Sequence, residues 1–194
     1  MLRRTVALVA TNVVLGAALI TGIAATPAAA EAAPPTALAA TLTYDDTYAA
    51  EFKDEMAQAV AIWNAAAPNV RIVKAQPGQR INIRVLADDG WPRATLGPVR
   101  PTGQVTVWMG RTAVNQGYNV VRIATHELGH SLGLPDRRTG LCSDLMSGSS
   151  APVSCANSQP SSAERSQVQR NYAGFFSMKE SSSKPVVIVD SATK

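Results

Sequence analysis

The chain has 194 residues, 46% apolar and 16% charged, with a formal net charge of +4. That balance excludes a disordered polyelectrolyte and suits a globular protein with one real core. The positive excess is too small to argue for nucleic acid or a membrane surface as partner, and it falls to +2 without residues 1–30, which hold Arg3, Arg4 and no acid.

Residues 1–30 have their own grammar: two arginines, an apolar run over 5–25, then Pro27 and three alanines. This reads as a secretory signal peptide cut near Ala30, in preference to a membrane anchor, because small residues, Asn12 and the A-x-A ending favour cleavage. No stable membrane association is expected afterwards. Residues 31–40, E-A-A-P-P-T-A-L-A-A, lack periodicity and read as a short pro-segment or a flexible N-terminus.

A first short strand is expected over 41–44. Asp45, Asp46 and Thr47 then offer N-cap chemistry for a helix over about 48–66, on which Phe52, Met56, Val60 and Trp63 form one apolar stripe for the core. Strands follow over 70–73 and 81–86, separated by a Pro77-Gly78 turn signal; in the second, Ile81, Ile83 and Val85 alternate with Asn82 and Arg84. A Gly/Pro-punctuated stretch over 88–103 reads as loop. It leads to a strand over 104–109, the candidate cleft edge for an extended peptide, with Trp108 read as core in preference to cleft wall.

A helix beginning near 115–119 and running to Leu132 carries the two histidines of the chain, inside A-T-H-E-L-G-H-S-L-G-L-P-D at 124–136. Helical positions i and i+4 share a face, so His126 and His130 can reach one metal ion with Glu127 beside it. A catalytic zinc site needs a third protein ligand. On a continuous helix Asp136 would lie about 9 Å along the axis from His130, out of reach. Gly133 removes the obstacle, since glycine accepts the left-handed conformation that ends helices and Pro135 disfavours helix before it. The chain can then turn back and deliver Asp136, with Glu127 left as proton acceptor. Glu164, on a last helix from a capping box at 161–164 to about Tyr172, is a competing third ligand. Two cysteines in an exported chain, Cys142 and Cys155, suggest one disulfide, with free thiols as the alternative.

H-E-L-G-H-S-L-G-L-P-D, L-C-S-D-L-M-S-G at 141–148, Cys155, A-E-R-S at 163–166, A-I-W-N at 61–64 and N-V-R-I at 69–72 together resemble the snapalysin family, small secreted neutral zinc proteases of the metzincin clan. The resemblance covers about 41–172 and is stronger in the second half. It implies zinc on His126, His130 and Asp136, Glu127 as catalytic base, a Met-turn at Met146, and a Cys142–Cys155 bridge. It also implies a taste for large aromatic side chains just after the cut bond, in a pocket walled by the loop after Asp136. Two positions depart from the family. Arg138 stands where the family has a tyrosine, in a loop it shares with Arg137. Asn119 and Val121 stand where the family has a calcium-binding aspartate and threonine, which leaves calcium open.

The expectation is thus an α+β, metzincin-like fold: a small twisted mixed sheet with an edge strand at the cleft, an active-site helix and a C-terminal helix. Residues 41–176 would be the metalloprotease domain and 177–194 a tail without an assigned role. The function expected is that of a secreted, monomeric endopeptidase with one zinc ion, acting on peptide or protein. A secreted zinc hydrolase of a non-protein amide, such as cell-wall material, is the alternative. A binding protein with structural zinc is disfavoured by Glu127, because a structural site needs no base.

Overall fold

A computed structural model describes residues 39–173 and 185–191; the expected signal peptide, residues 31–38 of the pro-segment and the rest of the tail lie outside them. Among the described residues, β1 (Ala40–Tyr48), β2 (Val70–Lys74), β3 (Ile83–Asp88), β4 (Arg93–Thr95), β5 (Val105–Gly110) and β6 (Val187–Val189) form one sheet in the order β2-β1-β3-β5-β4-β6. The first four positions of that order are mutually parallel, and β4 runs antiparallel to both β5 and β6. The helices are α1 (Lys53–Ala66), α2 (Arg111–Asn115), α3 (Val120–Ser131) and α4 (Ser162–Tyr172). This is the mixed α+β arrangement expected. Parallel neighbours require a crossover, and α1 provides the one between β1 and β2.

The apolar stripe of the first helix does what its spacing predicts. Phe52, Met56, Val60 and Trp63 are all buried, and Trp63 Nε1 donates to the Thr125 carbonyl at 2.8 Å, tying α1 to α3. The start of that helix differs from expectation. Asp45 accepts from both Thr47 N and Thr47 Oγ1, and the Asp46 carboxylate is buried against Lys74 Nζ at 2.8 Å, so neither is free to cap. The residues continue β1 to Tyr48 instead, and α1 begins at Lys53 behind a single 3-10 turn, Ala50–Phe52. Asn82, expected to face solvent, is buried ahead of β3: its Oδ1 accepts from Thr43 N, and its Nδ2 donates to the Pro101 and Gly103 carbonyls.

Two further differences bear on the cleft. The strand expected at the edge, 104–109, is β5, and it lies inside the sheet between β3 and β4. Next to β5 on that side lies β4, from the stretch read as loop, and β6 from the tail pairs with its other edge. Trp108 on β5 is half-buried, with the Arg93 guanidinium 4.9 Å from its ring centre. No helix among the described residues is long and apolar enough to cross a membrane.

Candidate metal centre

α3 begins where Asn119 accepts from Arg122 N at 2.9 Å, a side-chain N-cap, after the chain has broken at Gly117 behind the short α2. It ends in a Schellman motif: Gly133 N donates to the His130 carbonyl at 2.9 Å and Leu134 N to the Gly129 carbonyl at 3.0 Å. Gly133 has φ +94°, and a Cβ there would lie 2.7 Å from Asn171 Nδ2 and 2.8 Å from the Pro98 ring. Only glycine meets both demands. The chain therefore reverses, and Asp136 returns to the face of α3 that carries the histidines.

His126 Nε2 lies 3.2 Å and His130 Nε2 3.4 Å from Asp136 Oδ1. Each ring is oriented through its other nitrogen, His126 Nδ1 to the Leu145 carbonyl at 3.0 Å and His130 Nδ1 to the Leu134 carbonyl at 2.7 Å. A carbonyl can only accept, so in the neutral rings the proton sits on Nδ1 and the Nε2 lone pair points to a shared centre. His126 Nε2, His130 Nε2 and Asp136 Oδ1 are buried without a hydrogen-bond partner, although buried polar atoms are almost always paired. Donors about 2.0–2.1 Å from a tetrahedral ion stand about 3.3–3.4 Å from one another. The spacing and donor types fit a zinc ion.

Glu127 is fully buried beside the cluster with both carboxylate oxygens unpartnered, and burial pushes its carboxyl well above the usual range. Without metal, burial works against a charged His126 ring, but Asp136, Asp190 and Glu127 outweigh it and push the ring up to about 9. Burial alone would raise Asp136, yet the two histidines hold it well below the ordinary carboxylate range. His130 is pushed down by burial and by His126.

The segment under the cluster is a 3-10 stretch, Leu145–Ser150, with Met146 fully buried. Glu164 is not brought to the metal face. Its Oε1 accepts from Met146 N at 2.8 Å, and its Oε2 accepts from Leu145 N at 3.2 Å and Ser161 N at 2.6 Å, so it completes the capping box of α4 and hangs the Met146 turn from it. Arg138 donates to Asp136 Oδ2 at 3.0 Å, so it holds the outer oxygen while Oδ1 faces the rings; Arg137 is exposed. Cys142 and Cys155 form a disulfide. A pocket of about 560 Å³ opens beside the site, walled by residues 133–135, Arg137, Met146 and α4.

The family model described as Streptomyces extracellular neutral proteinase (M7) matches residues 39–174. The chain belongs to this M7 family. Similar M7 relatives include the "Extracellular small neutral protease" of Streptomyces coelicolor, 42% identical over 73% of this chain and 64% of that protein. Proteins of the same name from Streptomyces sp. (strain C5) and Streptomyces caespitosus are 36% and 35% identical, over 74% and 69% of this chain and 61% and 97% of theirs. The chain thus spans less than two thirds of the length of the first two. Among solved structures, High choriolytic enzyme 1, a hatching enzyme zinc-protease from the medaka Oryzias latipes, is similar over 51% of this chain and 46% of its own, with a TM-score of 0.37 and 24% identity.

Two residues of this M7 chain escaped sequence reasoning. Arg122 looks like a surface arginine, but its buried guanidinium donates to the carbonyls of Asp144 at 2.8 Å and Asn157 at 2.5 Å, fixing the disulfide loop to α3. Its three-residue offset from Asn119 was the readable signal for a cap, not for this. Asp190 carries no local signal, yet its Oδ2 lies 4.0 Å from His126 Nε2.

Proposed function

We propose that this chain is a secreted zinc endopeptidase, with residues 41–176 as the catalytic domain and residues 1–30 removed on export. The observation carrying the reading is the convergence of three buried, unpartnered donor atoms, with both imidazole nitrogens 3.2–3.4 Å from the Asp136 oxygen and an unpartnered carboxylate beside them. Bound there, zinc supplies Lewis acidity, polarising a carbonyl and acidifying a water molecule. His126, His130 and Asp136 hold it, their orientation fixed by the Leu145 and Leu134 carbonyls and by Arg138.

Glu127 takes the proton of the attacking water and passes it to the leaving amine. Its burial raises its pKa in the metal-free state, and a divalent charge nearby acts in the opposite direction, returning it to the ionised form a base requires. Peptide substrate lies extended along β4, whose outward main chain pairs with an antiparallel segment. A branched cell-wall amide has no such strand to offer, so the geometry favours protein or peptide. The side chain following the cut bond enters the pocket between residues 133–135 and Met146.

The test is hydrolysis of casein and of a fluorogenic peptide by wild type and Glu127→Ala. The variant is expected to keep stoichiometric zinc and lose about 10²–10⁴-fold in kcat, the range for a positioned general base. Chelator should silence the wild type, and zinc should restore it. Equal clearing by wild type and variant would refute the mechanism.

A further inference from the structure

β6 is the part of the fold that the proposed activity leaves unexplained, and it lies where a substrate would. Its pairs with β4 are Arg93 with Val189, Ala94 with Ile188 and Thr95 with Val187. The ladder is extended at both ends, Leu96 N donating to the Val186 carbonyl at 2.7 Å and Asp190 N to the Pro92 carbonyl at 2.9 Å. Strands that belong to a core bury one face. Here Val187 and Val189 on one face are 45% and 44% exposed, Val186 is 56% exposed and Ile188 on the other face is only partly buried, so main-chain pairing outweighs side-chain packing in holding the segment. That is how a bound peptide sits on a sheet edge.

The end of the segment turns into the metal centre. Asp190 is buried, and its Oδ1 accepts from Ser149 N at 2.9 Å and lies 3.7 Å from Arg138 Nη2. Arg138 Nη1 and Ser149 Oγ also donate to the Ser191 carbonyl, at 3.2 Å and 3.0 Å. Gly148 makes room: φ is +54°, and a Cβ there would come within 2.4 Å of Asp190 Oδ1. The other oxygen, Oδ2, lies 4.0 Å from His126 Nε2, and ligand atoms of His126, Glu127 and Asp190 lie within 4.8 Å of one another, a second set that shares His126 with the set of His126, His130 and Asp136. Arg138 lies beside Oδ1, while Oδ2 is turned toward the His126 nitrogen that also faces Asp136.

We infer that the tail segment over 186–190 occupies the substrate cleft as a built-in pseudo-substrate, with Asp190 as a fourth protein ligand to the zinc, in the position a catalytic site leaves for water. This rests on the zinc reading above. Catalytic zinc sites have three protein ligands and one open position, and a carboxylate in the fourth closes the site. The edge of β4 away from β5 pairs with one segment at a time, so tail and substrate exclude each other. The tail is held by a short ladder, the Asp190 carboxylate and hydrogen bonds to the Val189 and Ser191 carbonyls, so its release, or its removal by a second protease, frees the cleft without disturbing the core.

The experiment uses the full-length chain loaded with cobalt(II), whose visible spectrum reports ligand number and type. Wild type is compared with Asp190→Asn and with a chain lacking residues 185–194. Both variants should shift the cobalt spectrum in the same way. Both should raise kcat/KM on a short peptide at least about tenfold, the factor for a competent state populated a tenth of the time or less. The Leu96 amide should exchange hydrogen faster in the shortened chain. A blocked peptide of residues 185–191 should inhibit that chain competitively, and its Asp190→Asn version should not. If the shortened chain does not fold, the substitution in the full chain reads the same spectrum and rate. An unchanged spectrum and unchanged kcat/KM in Asp190→Asn would overturn the inference while leaving the zinc reading intact. A wild type that binds no cobalt would overturn both.

Discussion

Arg138 determines which oxygen of Asp136 is left for a metal ion, because it holds Oδ2 at 3.0 Å while Oδ1 faces the two rings. Partners that orient a ligand typically set affinity by a factor of about 10–100. Arg138→Gln is therefore expected to weaken zinc by about that factor, as read by competition with a chromogenic chelator, and undiminished affinity would remove Arg138 from the site's design. Protonation competes at the same atoms. The metal-free cluster places a proton on His126, whose pKa is pushed up to about 9, so a metal entering below that pH displaces it. Apparent zinc affinity should then fall about tenfold per unit as pH drops below 9, with about one proton released per ion near neutrality. Calorimetry in two buffers of different ionisation enthalpy measures that proton. No release at pH 7 would contradict the charge state assigned to His126.

At the scale of elements, the reversal at the end of α3 carries the site. Gly133→Ala forces a left-handed conformation on a residue with a Cβ, costing about 1–2 kcal/mol, and drives that Cβ against Asn171 and Pro98. The expected outcome is a lower melting temperature together with weaker zinc binding, because Asp136 is displaced; a variant with full zinc affinity would show that the turn is not what delivers the carboxylate. This turn was readable because every residue it needs lies within 124–136, where local rules on glycine and proline apply. What could not be read depends on distant partners. Asp46 has ordinary cap chemistry and is taken by Lys74, and Asn82 is claimed by Thr43 and the carbonyls of Pro101 and Gly103. β4 and β6 are three residues each, too short to show a period, and each exists by virtue of what it pairs with. Arg138 and Asp190 meet at the metal centre from opposite ends of a 52-residue span, so neither could have pointed to the other.

The whole molecule divides its stability between two kinds of interaction. The parallel strands β2, β1, β3 and β5 pack with α1 and α3 through a wide apolar core in which Leu42, Ile72, Ile83, Val85, Val107 and Trp63 are fully buried or nearly so. The loop from Asp136 to α4 is held largely by polar devices instead: the Arg122 guanidinium on four carbonyls, Glu164 on three amides, one disulfide and the proposed metal ligands. A ligand that binds only the native state stabilises it by about 4 kcal/mol at a thousandfold excess over Kd. Chelation should therefore lower the melting temperature, and the loss should be local. Amides of residues 134–150 and of β6 should exchange markedly faster without metal, since on the proposed reading Asp136, the two ring-orienting carbonyls and Asp190 are tied to the same centre. Amides of β1, β3 and β5 have no link to the ion and should keep their protection. Hydrogen exchange by mass spectrometry, with zinc and after its removal, separates the cases. A uniform rise across the sheet would mean that the ion holds up the entire fold, and the division between an apolar scaffold and a metal-pinned loop would have to be abandoned.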